Sequence, residues 1–460
     1  MPGGSTRKHP DSIFFSGIAG SGVSALALFM SLRGSNVSGS DRLFDTGSAI
    51  PLKERLEKAG IRIKPQDGSG ITEDTQLMVM STAVERDRPE VLRAGQLGVR
   101  IMTRPEFLAT LSQDHRSIAI AGTSGKSTAS AMLAFALREL GASPSYISGG
   151  RAKDFRSPEN PGNVLSGGSD LLVMEADESD GSIVNYRPFI SVIANLSLDH
   201  NPVHETAGMF RELMEHTTGR VILNSDDNGV MGLRSKDAFT YSISTPSDLR
   251  AVNISMQGRK SRFQIEGQDF EIAHPGLHNI YNALASIAVL RQLGYAPGNI
   301  SQALAPFSGI ERRFDVHLEN NGRMVIDDYA HNPHKIGALM DTVAGLSGSA
   351  CYVFQPHGFG PLRLMLKEYA EVFNSRLREN DRLFILPVYF TGGTVSRDIG
   401  PEDLALLCRA STPDSRASLL AEINRPPRND CYVVLGARDE SLGVLASEIA
   451  GIVSDKETAF

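Results

Sequence analysis

The stretch that most narrows the possible folds is residues 118–128, IAIAGTSGKST. An apolar run of strand length enters a series of small residues, then a lysine and two hydroxyls. The residues that follow are apolar on nearly every side: Ala129, Met132, Leu133, Phe135, Ala136, Leu137 and Leu140. A helix of that kind has to be buried. A short apolar strand that turns through glycines into a buried helix starts an α/β unit on a parallel sheet. Gly141 stands where a helix over about 127–140 would end. The loop is a constraint in itself, because small residues let backbone N–H groups close on an anion at the helix N-terminus. The general phosphate-loop pattern is G-x-x-x-x-G-K-[ST]. Counting back from Gly125-Lys126 puts its first glycine at position 120, where this chain has Ile. Gly122, Thr123, Ser124, Gly125, Lys126, Ser127 and Thr128 remain, with Lys126 as a point charge and the Ser127 hydroxyl suited to Mg²⁺.

Two further segments read the same way. In SIFFSGIAGSGVSALALFM, residues 12–18 resemble a buried strand, and Val23, Leu26, Ala27 and Met30 form one face of a helix that Gly34 would close. Gly17, Gly20 and Gly22 lie in the turn between them, spaced G-x-x-G-x-G rather than as the dinucleotide G-x-G-x-x-G. NVSGSD then reads as a second strand ending at Asp41. In the last third, MVIDDYAHNP, CYVFQPHGFGP, RLFILPVYF and CYVVLGARDESL are apolar runs, each leading into a polar loop. Pro333 suits the first position of a helix carrying Ile336, Leu339, Met340 and Val343 on one face. Residues 220–275 read as β-rich decoration of the middle segment. The expected architecture is α/β in three domains, 1–113, 114–317 and 318–460.

The net charge of −7 argues against a nucleic-acid binder, which normally carries a basic excess. Cys351, Cys408 and Cys431 are too few and too scattered for a disulfide framework or a zinc ribbon. The apolar segment near 23–32 is far short of the roughly 20 residues that span a bilayer. The polar start MPGGSTRKHPDS has no signal-like core. A soluble protein of the cytoplasm, with no membrane insertion, is expected.

Several polar clusters follow apolar runs, the position where ligands gather in open α/β sheets. LLVMEADESD ends in four acids within 175–180, and Glu175, nearest the strand end, is the best single Mg²⁺ ligand among them. ISVIANLSLDH ends in Asp199 and His200, and His200 is a candidate for a second divalent ion. His278, Asn279 and Asn282 open a helix-like run, where they either cap it or face a ligand. Arg312 and Arg313 are either solvated linker charges or a phosphate clamp. DDYAHNP, 327–333, gathers two acids and His331 at a strand end.

Taken in order, GIAGSGVSALA, SGSD, GTSGKST, EADESD, DH, HNIYNA, ERRFD, DDYAHNP and VFQPH resemble the Mur ligase family over nearly the whole chain. The similarity is greatest to the branch that joins alanine to UDP-N-acetylmuramate and to the neighbouring branch that attaches a tripeptide. The resemblance implies a Rossmann-like domain for the UDP-sugar, a central ATPase domain and a C-terminal Rossmann-like domain. It implies an ATP- and Mg²⁺-dependent amide ligase of peptidoglycan precursor synthesis that works through an acyl phosphate. It implies metal contacts by Ser127, Glu175 and His200, and nucleotide contacts by residues 122–128, His278, Asn279, Asn282 and Arg313. Lys126, His200, Asp328 and His331 take the catalytic positions, and Gly17, Gly20, Gly22, Asp41 and Ser81 line the UDP-sugar site. The partners implied are a UDP-N-acetylmuramate-type acid and an amino acid or short peptide. Three departures stand out. The loop reads GTSGKS where that branch has GTHGKT. No lysine occurs in HETAGMFRELMEH, 204–216, where several members carry a carbamoylated one. GFGPLR replaces an Arg-rich stretch after VFQPH, which leaves the amine open between alanine, the first candidate, and a tripeptide. A non-catalytic nucleotide-sugar sensor is the reading from another class.

Overall fold

The computed structural model describes residues 10–198, 201–233, 237–390 and 395–454. They form two compact units. One runs to Ser255 and includes Arg262–Ala273 and Asn279–Gly309; the other comprises Met256–Ser261, His274–His278 and the chain from Ile310.

The first unit holds two sheets. Strands β1 (Ser12–Ser16), β2 (Asn36–Ser40), β3 (Arg62–Ile63), β4 (Leu77–Met80) and β5 (Arg100–Thr103) form a parallel sheet in the order β3-β2-β1-β4-β5. The order in which strands are added reverses beside β1, with β2 and β3 on one side and β4 and β5 on the other, so the expected ligand crevice is at the carboxyl end of that strand. The helix Ser21–Leu32 buries Val23, Leu26, Ala27 and Met30, as their spacing predicts. It ends before Gly34, whose φ of +89° suits a residue without a β-carbon.

Strands β6 (Arg116–Ala121), β7 (Ser145–Ile147), β8 (Val164–Leu165), β9 (Leu171–Ala176), β10 (Ile190–Ile193), β11 (Arg220–Asn224), β12 (Phe239–Ser242) and β13 (Leu249–Arg250) form the second sheet. Its order is β13-β12-β11-β10-β6-β9-β7-β8. Ala121 pairs with Ala176 of β9 and with Ile193 of β10, so three carboxyl ends lie level and their loops share one rim. The helix Lys126–Glu139 buries every residue from Thr128 to Leu137, as its all-round apolar character requires. A continuous core reaches across both sheets, from Phe15, Phe29 and Phe107 to Ile147, Val164 and Met174. Each such large side chain contributes about 1.5–3 kcal/mol on burial.

The residues read as β-rich decoration divide. β11, β12 and β13 extend the main sheet, while β14 (Val252–Gln257), β15 (Lys260–Ile265) and β16 (Gln268–Ile272) form a separate three-stranded sheet. Phe263, Ile265, Phe270 and Ile272 take its buried positions.

The second unit carries β17 (Asp315–Asn320), β18 (Arg323–Asp328), β19 (Ala350–Phe354), β20 (Arg382–Ile385) and β21 (Cys431–Leu435), in the order β17-β18-β21-β19-β20. β17 and β18 are antiparallel and the other pairs parallel. Pro333 opens the helix Pro333–Ala344, and Asn332 caps it by accepting from Lys335 N at 2.9 Å. Among the described residues, no helix is long and apolar enough to cross a membrane.

Candidate functional site

The loop after β6 is shaped by two glycines. Gly122 has φ +139° and Gly125 has φ +84°. A β-carbon on Gly125 would fall 2.2 Å from Asn282 Oδ1, so a larger residue there would have to displace the Asn282 amide. Asn282 belongs to the buried helix Leu277–Gln292, which Ser286 ties to the helix Lys126–Glu139 by donating to Ala129 O at 2.9 Å. Asn282 also donates to Asn279 Oδ1 at 3.3 Å. Asn282 thus stands against the loop, with Asn279 beside it. Asn195, two residues past β10, braces the other side. Its Oδ1 accepts from Ser124 N at 2.8 Å and Thr123 Oγ1 at 2.9 Å, and its Nδ2 donates to Ser124 O at 2.9 Å. Sequence reasoning passed over Asn195; the available signal was a polar residue directly after an apolar strand.

Lys126 opens the helix with its side chain 15% exposed. Its Nζ donates to Gly122 O at 2.9 Å and Glu178 Oε2 at 2.8 Å, with Asp177 Oδ1 at 3.4 Å. Burial works against the ammonium, but Glu178, Asp177 and Glu175 outweigh it and hold its pKa above the ordinary lysine value. Burial pushes Glu178 up, more than Lys126 draws it down. Lys126 therefore stays charged while its neighbours neutralise it. Glu178 is the second residue that sequence reasoning missed, because Glu175 lay closer to the strand end.

Glu175 accepts from Gly149 N at 3.0 Å through Oε2. Its Oε1, Oε1 of Glu178 and Oγ of Ser124 are buried polar atoms without a hydrogen-bond partner. Such unspent acceptors suit a hard cation. Among the described residues, no three His, Cys, Asp or Glu side chains gather as a protein-only metal cage. Ser127 stands half-buried in the first helical turn. His200, proposed for a second ion, lies outside the described residues, as does Asp199.

The glycine turn after β1 gathers its expected partners. Gly17 has φ +76°, and a β-carbon on it would stand 2.9 Å from Ser81 Cβ. Asp41 accepts from Ala19 N at 2.9 Å and Leu43 N at 3.0 Å, so it fastens the turn instead of ending a strand. Gly20 caps the helix Ser21–Leu32 and Gly22 lies in its first turn.

In the second unit, Asp328 ends β18 and both its oxygens are engaged, Oδ2 by Phe314 N and Oδ1 by Ala330 N, each at 2.7 Å. His331 is buried, its Nδ1 lies 2.8 Å from Tyr329 O, and its ring meets that of His357 with centroids 4.8 Å apart. Arg313 stacks over Tyr329 at 4.9 Å. Arg312 is neither a solvated linker charge nor a clamp. It is buried against Asp327 at 3.0 Å and donates to the carbonyls of Gly436 and Asp439. His278 is half-buried, and desolvation lowers its pKa, with Asp328 opposing and His334 and Arg313 assisting. GFGPLR, expected as an exposed loop, instead begins a short helix, Phe359–Leu364, because Leu362 is fully buried and anchors it. Arg363 turns to Asp398.

Comparisons with known proteins agree with this geometry. The family description "Mur ligase family, catalytic domain" matches residues 12–116, "Mur ligase middle domain" 120–290 and "Mur ligase, glutamate ligase domain" 312–438. The chain is 34% identical over 400 residues to the UDP-N-acetylmuramate–L-alanine ligase of Paenarthrobacter aurescens, covering 82% of this chain and 83% of that protein. It is 32% identical over 472 residues to the protein of the same name from Stenotrophomonas maltophilia, covering 95% and 94%. Among solved structures, the UDP-N-acetylmuramate-alanine ligase of Thermotoga maritima superposes with TM-score 0.76 at 24% identity, over 96% of this chain and 99% of that one. A murein peptide ligase from Psychrobacter arcticus gives 0.66 at 20%, over 97% and 100%. At those identities the two structures establish the fold alone.

Proposed function

The chain belongs to the Mur ligase family of ATP-dependent, amide-forming ligases, and from that premise we propose that it joins L-alanine to the carboxylate of UDP-N-acetylmuramate in the cytoplasm. The observation that carries the reading is the rim itself. A phosphate-shaped loop, a charged Lys126 and the unspent oxygens of Glu175 and Glu178 lie at neighbouring strand ends. We propose domain divisions at 113 and 317.

The acid and the triphosphate are both anions and repel until cations stand between them. ATP would supply the phosphoryl group that turns the acid into an acyl phosphate, and Mg²⁺ would neutralise the charge that develops. Lys126 is a charged donor already in place, and it needs only to exchange Glu178 for a phosphate oxygen. The glycine-bounded loop Gly122–Gly125 would hold the phosphates, kept in shape by Asn195 and Asn282. Ser127 and Glu175 would hold the metal, and His200 is assigned to a second. We assign Asn279, His278 and Arg313 to the nucleotide and Asp328 and His331 to the amine, with Asp328 acting by ordering the backbone of Phe314 and Ala330. The glycine turn with Asp41 and Ser81 takes the UDP moiety.

The test offers ATP, Mg²⁺ and UDP-N-acetylmuramate with alanine, with a tripeptide, or with no amine. ADP, phosphate and the alanyl amide should appear together, and only when alanine is present. Incorporation of the tripeptide instead assigns the chain to the other branch. ATP consumption without any amide refutes the ligase reading.

A further inference from the structure

Arg104 begins the helix Arg104–Asp114, and its backbone is set by a capping box between Thr103 and Glu106. From there its side chain crosses the first turn of the helix Ser21–Leu32. A β-carbon on Gly22 would lie 3.0 Å from Arg104 Cδ and 3.4 Å from its Nη1. That turn receives no hydrogen bond from a side-chain cap, since Gly20 occupies the N-cap. Its unpaired N–H groups and the helix dipole make it a positive end. A guanidinium lying there is repelled unless an anion joins it.

In this structure the anion is Asp180. It forms an ion pair with Arg104, both side chains about a quarter exposed at 23% and 26%, across 76 residues of chain. Its other oxygen accepts from Ser182 N at 3.0 Å. The same acidic turn treats Lys126 alike, through Glu178 at 2.8 Å and Asp177 at 3.4 Å. One turn, 177–180, thus supplies carboxylates to two cations, each beside a glycine loop that follows a central strand. On the proposed reading of Lys126, the carboxylate occupies the place a phosphate would take. The geometry at Arg104 is the same: a cation, a helix N-terminus and a removable counter-charge.

We propose that Arg104 binds the phosphates of the sugar nucleotide, and that Asp180 is the stand-in they displace. The proposal deepens the UDP-sugar reading and rests on it. A diphosphate offers the planar fork two acceptors and more charge than one carboxylate. Asp180, already partly exposed, passes to water at little cost.

The full chain and its Arg104→Ala, Arg104→Lys and Asp180→Asn variants are titrated calorimetrically, without ATP, against UDP-N-acetylmuramate, UDP and uridine. Arg104→Ala should weaken UDP-N-acetylmuramate and UDP by about 10- to 100-fold, the worth of charged hydrogen bonds, and leave uridine unchanged. Arg104→Lys should recover part of the loss. Asp180→Asn should tighten both phosphate-bearing ligands. Binding of UDP-N-acetylmuramate to Arg104→Ala within about twofold of the parent overturns the proposal. So does an equal loss for uridine, or weakening in Asp180→Asn, since either makes the pair a strut of the fold. If the parent binds UDP through Arg104 but not UDP-N-acetylmuramate, the sugar reading falls and Arg104 stands. If it binds neither, both fall.

Discussion

Lys126 shows how much of a residue's chemistry lies in its neighbours. The sequence motif proposes it as a phosphate ligand; the fold adds Glu178 and Asp177, which keep it charged. Lys126→Ala should lower kcat on the order of 100- to 1,000-fold, as for removal of one transition-state donor, with an unchanged circular-dichroism spectrum. Near-parental turnover would favour the sensor reading. His278 gives a pH prediction. Burial holds its pKa below the ordinary 6.5, so at acid pH the unfolded chain binds the proton more readily than the folded one. Its contribution is whole above about 6.5 and is lost as pH falls towards the folded value, by up to about 1.4 kcal/mol per pH unit. Urea midpoints at pH 7.5 and 5.5 should therefore separate less in His278→Gln than in the parent. Equal separation would mean that His278 carries no such penalty.

At the scale of elements, the chain positions its chemistry by tying strand ends to loops. Asn195 reaches back from the end of β10 to hold Thr123 and Ser124, and Asp41 does the same for the glycine turn. Arg312 is the corresponding tie in the second unit, joining β18 to the loop after β21 through Asp327 and the Gly436 carbonyl. Both charges are buried, so removing one leaves the other uncompensated. Arg312→Ala should destabilise that unit by about 3–5 kcal/mol. Differential scanning calorimetry should show the corresponding transition moving down, and an unmoved transition would mean that water replaces the arginine. The apolar periodicities were enough to place these elements. Helices such as Ser21–Leu32, Lys126–Glu139 and Pro333–Ala344 begin and end close to where their spacing and glycines predict. The turn of helix at GFGPLR was not legible, because its single anchor, Leu362, meets its core only after folding.

For the whole molecule, the nucleotide should act as a structural ligand of the ATPase sheet. MgADP at 100 times its dissociation constant should stabilise the protein by about 2.7 kcal/mol, read as a rise in Tm. Chelating the metal should abolish turnover and reduce that rise, because the nucleotide's phosphate oxygens would then face Glu175 and Glu178 without a cation between them. A Tm rise insensitive to chelation would count against a metal at those carboxylates. The sequence by itself determined the α/β class, the strand-loop-helix units, the phosphate loop and the candidates around it. Those signals are local: a strand's apolar run, a helix's period and a glycine's freedom lie within a few residues of one another. Tertiary structure alone decided that Glu178 rather than Glu175 holds Lys126, that Asn195 braces the loop, that Arg312 is a buried tie and that Arg104 meets Asp180. Each of those pairs joins residues far apart in the chain. Which of several nearby acids finds a given cation depends on strand register and burial, quantities that exist only once the sheets have formed.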